Sequence, residues 1–221
     1  MTESKENFLR DFANLAKGTE IPPLFALWSG ISGVSAILGR RVWMDMGVFT
    51  VYPNLFVVLV AGSGQFRKTT SIRLIEKLIR QVDPHPNFIS QKITPEALID
   101  AVKIQRTGDD SNLGKEISEG YVLAEELGIF INKKSYEAGM ASILIPLYDC
   151  ADVFEYRTKG RGVEEIRNAC FSLLGASTVD WIRDAIPREA VGGGLTSRMI
   201  FVFTETPPEP VAIPSLSLIH I

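Results

Sequence analysis

The stretch LVAGSGQFRKTTSI, residues 59–72, decides how this chain is read. It joins a continuous apolar run, LFVVLVA (55–61), to a segment in which Ile72, Ile75, Ile79 and Val82 recur at helical spacing. An unbroken apolar run marks a strand buried on both faces of a parallel sheet. The recurrence predicts an amphipathic helix over about 69–82. Between the two lie Gly62, Ser63, Gly64, Gln65, Phe66, Arg67, Lys68, Thr69 and Thr70. A turn leading from strand to helix aims successive backbone N–H groups at one point and adds the positive end of the helix dipole, a layout suited to an anion. Lys68 is placed to neutralise phosphate and the Thr69 hydroxyl to ligate a metal ion. The residue before the lysine is ordinarily glycine, which tolerates unusual φ and close backbone approach; here it is Arg67. Arginine fits if the position takes a negative φ with its side chain turned out of the nest, or it adds positive charge near a γ-phosphate. A glycine-bearing turn without a ligand is the plain alternative.

An anion site of this kind hydrolyses a nucleotide only with carboxylates nearby. YVLAEE (121–126) puts Glu125 and Glu126 directly after an apolar strand. One carboxylate would support Mg²⁺ and the next would polarise the attacking water. Glu125 stands where aspartate is usual, and its longer arm would reach through a bound water. LLGAST ends a further strand at Ser177 and Thr178, where a hydroxyl meets a γ-phosphate or orients water. GGGLTSRMIFVF sets Arg198 just before the last strand, where an arginine enters a neighbour's site and stabilises transition-state charge. Two solvated glutamates and a structural arginine are the simpler readings.

The rest of the chain alternates strand and helix. Residues 4–17 read as a helix, and Pro22-Pro23 opens a second one to about Arg40, with small residues Gly30, Gly33 and Ser35 for close packing. Residues 41–53 suggest a short hairpin. FISQK (88–92) is a strand, Thr94 an N-cap and Pro95 the first residue of a helix to Val102. Residues 106–120 read as a polar loop, 137–149 as a helix bent at Pro146, and 153–168 as a hairpin with two glycines at its tip. Strands over 170–177 and 199–203 flank a helix over 179–186. Strand–helix alternation predicts an α/β fold, a three-layer αβα sandwich around a mostly parallel sheet. The expected division is an N-terminal helical extension with short strands (1–53), a core (54–204), a linker (205–215) marked by Pro207, Pro208, Pro210 and Pro214, and a tail (216–221). The tail, LSLIHI, resembles the translation of a transposon-end sequencing adapter. The natural coding sequence is therefore expected to be cut near Ser215, and the tail to be an artefact.

Composition narrows the classes. With 46% hydrophobic and 22% charged residues the chain is an ordinary globular domain, and its net charge of −3 means that any nucleic-acid contact must come from local basic features. Cys150 and Cys170 sit in apolar segments and form no metal pattern, as expected of buried thiols in a cytoplasmic protein. No leader pattern opens the chain. LFALWSGISGVSAILG (24–39) is too short and too rich in serine for a membrane span, so no membrane association is expected.

Residues 22 to 204 resemble the helicase-like ATPase family of phage, plasmid and mobile-element replication proteins. The likeness lies in LWSGISGVSAILGRRVW, YPNLFVVLVAGSGQFRKTTSI, VLAEELGIFI, LYDC, FEYRTKG, NACFSLLGAST and GGGLTSRMIFVF, and in their order. An arginine–lysine pair in the loop looks familiar from that family. The resemblance implies a P-loop NTPase sandwich of the additional-strand, AAA+ kind, with five strands in the order 5-1-4-3-2. It implies ATP and Mg²⁺ bound by the loop, with Thr69 and Glu125 at the metal. Such proteins often carry a primase or polymerase domain and assemble as homo-oligomeric rings. The hairpin over 153–168 matches one that lines the ring channel, so Arg157, Lys159 and Arg161 would contact single-stranded DNA; a solvated charged turn is the alternative. The implied function is the ATP-hydrolysing motor of a helicase or primase–helicase. The alternative is a replication accessory protein that binds nucleotide or DNA without hydrolysis. A small-molecule phosphotransferase fits less well, since no basic cluster is set to receive a second phosphate substrate.

Overall fold

The computed structural model describes residues 7–83, 86–103, 106–107, 116–158, 160, 162–185 and 194–211. Helix α1 (Phe8–Ala16) starts at Asn7, whose side chain accepts from the Arg10 amide. Helix α2 (Pro23–Leu38) begins with proline, where the missing N–H costs nothing. A short turn leads to strands β1 (Met44–Asp45) and β2 (Thr50–Val51), an antiparallel pair. Strand β3 (Phe56–Val60) then enters the core and leads into α3 (Lys68–Val82). Next come β4 (Phe88–Ile89), α4 (Pro95–Val102), β5 (Arg106–Thr107) and β6 (Glu116–Ala124). The chain continues through α5 (Leu127–Phe130), α6 (Lys133–Glu137), α7 (Met140–Tyr148) and the hairpin β7 (Val153–Thr158)–β8 (Gly162–Arg167). It closes with β9 (Ala169–Ser177), α8 (Val179–Ala185) and β10 (Met199–Phe203).

Five strands pair in parallel in the order β10-β3-β9-β6-β4, and β5 pairs antiparallel with β6. Alternation along the strands sorts the core into two layers. Phe56, Val58 and Val60 face α4, α5 and α7 together with Phe171 and Leu173. Val57, Leu59 and Ala61 face α1, α2 and α3 together with Leu174 and Ala176. The result is a mostly parallel sheet flanked by helices on both faces, compatible with a three-layer α/β sandwich.

The N-terminal helices belong to that core. Phe12, Phe25 and Ala26 pack with Ile72, Ile75 and Leu59, so α2 forms part of one layer of the structure. Gly33 makes this possible, because a Cβ there would lie 2.4 Å from the Ile75 side chain. The serines of α2 recur at three-residue spacing and find partners across the layer. Ser29 meets Ser71 at 2.8 Å, Ser32 meets the Tyr121 hydroxyl at 2.9 Å and Ser35 meets Ser172 at 3.4 Å. Buried hydroxyls thus satisfy one another instead of opening the core to water. No helix among the described residues is long and apolar enough to cross a membrane.

Three expectations change. The segment read as a polar loop over 106–120 supplies β5 and the first half of β6, where Ile117 pairs with Arg106 of β5 and Ser118 with Ala169 of β9, and both Ile117 and Ser118 are buried. The helix expected over 137–149 starts later, as α7 at Met140, because Gly139 at φ +93° separates it from the short preceding helix α6. An Asn132–Ser135 capping box starts α6, and α7 carries Pro146 while its C-cap amide, Asp149, still bonds the Ile145 carbonyl. The strand expected over 88–92 ends at Ile89. The tail over 216–221 lies outside the described residues.

Candidate functional site

Four strand ends meet at the carboxyl edge of the sheet, where ligands of open α/β sheets bind. Val60 of β3 stands opposite Ser177 of β9, Ala124 of β6 opposite Gly175, and Ile89 of β4 opposite Val122. The segments that leave this edge are therefore the loop 61–68, Glu125-Glu126, Ser90-Gln91 and Ser177-Thr178.

The loop is anchored at both ends. The Ala61 amide donates to the Ser177 carbonyl at 3.4 Å, and Phe66 is buried against the helical layer. Gly62, Ser63, Gly64 and Gln65 are exposed between these anchors. Gly64 takes φ +82°, a backbone state that a side chain would strain. Helix α3 starts at Lys68, and no side chain caps it. The amides of Lys68, Thr69 and Thr70 thus lack an intrahelical acceptor and face the loop's end. The Lys68 ammonium donates to the Ala61 carbonyl at 2.8 Å and the Gly62 carbonyl at 2.7 Å, folding over the turn it follows. Burial lowers its pKa from the usual lysine value, since charge is costly out of water.

Arg67 departs from the expectation that arginine here requires a negative φ: its φ is +45°. A left-handed residue with a Cβ costs roughly 1–2 kcal/mol. Its guanidinium is held by Glu20, itself at φ +60°, whose Oε2 accepts from Arg67 Nε at 2.7 Å and from a second guanidinium nitrogen. The other oxygen of Glu20 accepts the Val211 amide at 2.8 Å. These partners, the Val211 amide first, hold the Glu20 carboxyl below its usual range. Beside this pair lies a cavity of about 420 Å³ lined by Thr19, Ile21, Arg67, Thr70, Arg73, Leu74 and Lys77.

Glu125 is brought against α3. Arg73, five residues past Lys68, grips it with two hydrogen bonds, Nε to Oε1 at 2.5 Å and a terminal nitrogen to Oε2 at 2.8 Å. The hydrogen bond to Glu125 raises the Arg73 pKa. The Glu126 amide donates to Gln91 Oε1 at 3.3 Å, which ties the ends of β6 and β4 together. Ser177 is buried with its hydroxyl on the Thr178 carbonyl at 3.3 Å. The Thr178 hydroxyl accepts the Trp181 amide at 3.2 Å and so caps α8.

Arg198 lies elsewhere. Met199 pairs with Phe56 at the start of β3, so Arg198 sits at the amino edge, about 13 Å of strand away from the loop. Asp149 holds it with two bonds of 2.8 and 2.7 Å, the Gly194 carbonyl accepts a third at 2.8 Å, and the hydrogen bond to Asp149 raises its pKa. The hairpin β7–β8 stands at the same edge, leading into the start of β9. Arg157 is exposed there, 3.7 Å from Glu155; Lys159 and Arg161 lie outside the described residues. Cys150 and Cys170 are free and buried, and the neighbouring Cys150 thiol together with burial pushes the Cys170 pKa up.

Among the described residues no group of three or more His, Cys, Asp or Glu side chains is placed to hold a metal ion. Thr69 and Glu125 offer one hydroxyl and one carboxylate, an oxygen set suited to Mg²⁺, which takes one or two protein ligands and fills the rest with phosphate and water. Comparison with protein-family models and with curated proteins returned no match.

Reading the sequence missed Glu20, Arg73, Gln91 and Asp149. Gln91 follows a strand and stood within reach of such reasoning. Arg73 and Asp149 carried no signal beyond their charge, because their partners lie 52 and 49 residues away.

Proposed function

We propose that this chain is an ATP-binding and ATP-hydrolysing motor domain of a DNA replication protein, of the helicase or primase–helicase type. The observation that carries the reading is the carboxyl edge itself. An uncapped helix start, a lysine folded over a glycine turn, a buried serine on the adjacent strand and an acidic pair beyond it converge on one place. Numbering the five parallel strands by chain position turns the observed order into 5-1-4-3-2, which supports a P-loop NTPase sandwich.

In this reading Gly62 to Thr70 wrap the polyphosphate with backbone amides, and Lys68 swings from the Ala61 and Gly62 carbonyls onto phosphate oxygens. Thr69 and Glu125 would hold Mg²⁺, which when bound spreads the phosphate charge. Glu126 orients the attacking water and takes its proton, while Ser177 reaches the terminal phosphate. Thr178 is assigned to capping α8. Arg198 faces away from its own loop, so it serves only a second copy in a ring, released from Asp149. The hairpin tips would line the channel for single-stranded DNA, with a primase or polymerase domain as partner.

One observation favours a second reading. Arg73 engages both oxygens of Glu125 and so competes with a metal ion for them. A replication accessory that binds nucleotide without hydrolysing it would look this way. Phosphate release from ATP, measured with and without single-stranded DNA, separates the two. Turnover lost in Lys68→Ala upholds the motor. Tight nucleotide binding without turnover upholds the accessory. No binding at all sinks both.

A further inference from the structure

We propose that Glu20 is a positioning residue for the phosphate loop, and that it does this by acting as the anion that Arg67 holds until a polyphosphate takes its place. The inference rests on the nucleotide reading of the loop. Arg67 is the residue from which α3 springs, and its backbone is in the left-handed state that this turn needs. Its guanidinium closes on a single oxygen of Glu20, a carboxylate whose side chain is only 12% exposed. Glu20 comes from the segment between α1 and α2, 47 residues away, and its own backbone is left-handed. Two non-glycine residues in that state, facing each other across one ion pair, mark a contact that the packing enforces.

The contact has a third member. The second oxygen of Glu20 accepts the amide of Val211, in the proline-rich stretch that follows β10. The carboxylate therefore ties the start of α3 to the segment by which the chain leaves the sheet. When a polyphosphate enters the nest, Arg67 gains an anion of higher charge on its own loop, and Coulomb attraction scales with that charge. The guanidinium transfers to phosphate. Glu20, left mostly enclosed without its cation, turns to water, and Val211 loses its acceptor. Occupancy of the loop is thereby read at residue 211. No bond is made or broken in this exchange beyond hydrogen bonds, and no further reactant is needed.

Amide hydrogen exchange at Val211 tests this in the full chain, free and with the non-hydrolysable β,γ-imido analogue of ATP, and again with inorganic tripolyphosphate. The expected result is slow exchange in the free protein and at least tenfold faster exchange with either ligand. Glu20→Gln removes the competing charge, so the analogue should bind about 5-fold more tightly, the scale of one half-exposed ion pair. A merely structural role for Glu20 would instead weaken binding. Arg67→Gly suits the positive φ and gives a second, independent variant, in which Val211 exchange should no longer respond to ligand. Ligand bound with Val211 exchange unchanged overturns the exchange and leaves the nucleotide reading standing. A wild-type chain that binds neither ligand overturns both.

Discussion

The two edges of the sheet differ in how they hold their charged groups. At the carboxyl edge the cations are folded inward: Lys68 on loop carbonyls, Arg67 on Glu20, Arg73 on Glu125. The amino edge carries projecting apolar groups beside ion pairs such as Arg40 with Asp152. Trp43, Met44, Met46, Val48 and Phe49 are all exposed on and around the β1–β2 hairpin, Val48 at 95%. Arg198 is pinned there to Asp149. The carboxyl edge gathers its cations around the glycine turn and the uncapped start of α3, while the amino edge holds a cavity of about 390 Å³ whose lining includes Arg40, Tyr52, Asp152 and Asn168. The difference teaches that placing an arginine before a strand says little about which site it serves. Strand register does, because it separates Arg198 from the loop of its own chain by the length of β3.

The comparison breaks first at Lys68. Lys68→Ala should remove detectable nucleotide hydrolysis and weaken nucleotide binding by about 100-fold or more, near 2.7 kcal/mol; equilibrium titration and phosphate release check both. Retained turnover would mean that the carboxyl edge is not the site. Arg198→Ala should cut turnover on the order of 1,000-fold in the assembled protein while leaving nucleotide affinity unchanged, the mark of a residue acting from a neighbour. Equal loss of affinity would place it in its own chain's site, against the register. Next in size is pH. Lys68 is already displaced downward, so nucleotide affinity should fall with rising pH before the ordinary lysine value of 10.5 is reached. A Lys68→Arg variant, charged throughout, should lose that decline. Glu20 works in the opposite sense. Its pKa is lowered on folding, so the stability it adds is complete above about pH 4.5 and is lost as pH falls through the depressed value. Thermal melting of wild type against Glu20→Gln between pH 3 and 6 reads this as two curves that converge at the acid end. The smallest effect belongs to the amino edge. Trp43→Ser should change stability by no more than about 0.5 kcal/mol and nucleotide affinity not at all.

The sequence was legible wherever a short stretch had to satisfy its surroundings alone. The run over 55–61 had to be a doubly buried strand, and the alternation of Phe56, Val58 and Val60 with Val57 and Leu59 between two layers follows from that. The hairpin over 153–168 was announced by its glycines, and the capped start of α4 by Thr94 and Pro95. Residues 116–120 were not legible as strand. Glu116, Ser118, Glu119 and Gly120 look like loop, and only pairing with β5 at Glu116 and with β9 from Ser118 onward makes them otherwise. The small residues of α2 were legible as a close-packing surface, but not that its serines would bond to Ser71, Tyr121 and Ser172 across the layer.

By itself the sequence determined the strand, the turn and the helix from Leu55 to Val82, and the presence of hydroxyl and acidic groups after later strands. Those are local properties, set by side-chain periodicity and by what a backbone without a Cβ is free to do. Tertiary structure alone decided that Arg67 takes a left-handed backbone against Glu20, that Arg73 closes on Glu125, and that Arg198 faces the other edge with Asp149. An ion pair between residues some fifty positions apart leaves no periodic trace in the chain. It exists only once packing has brought the two charges within reach of each other.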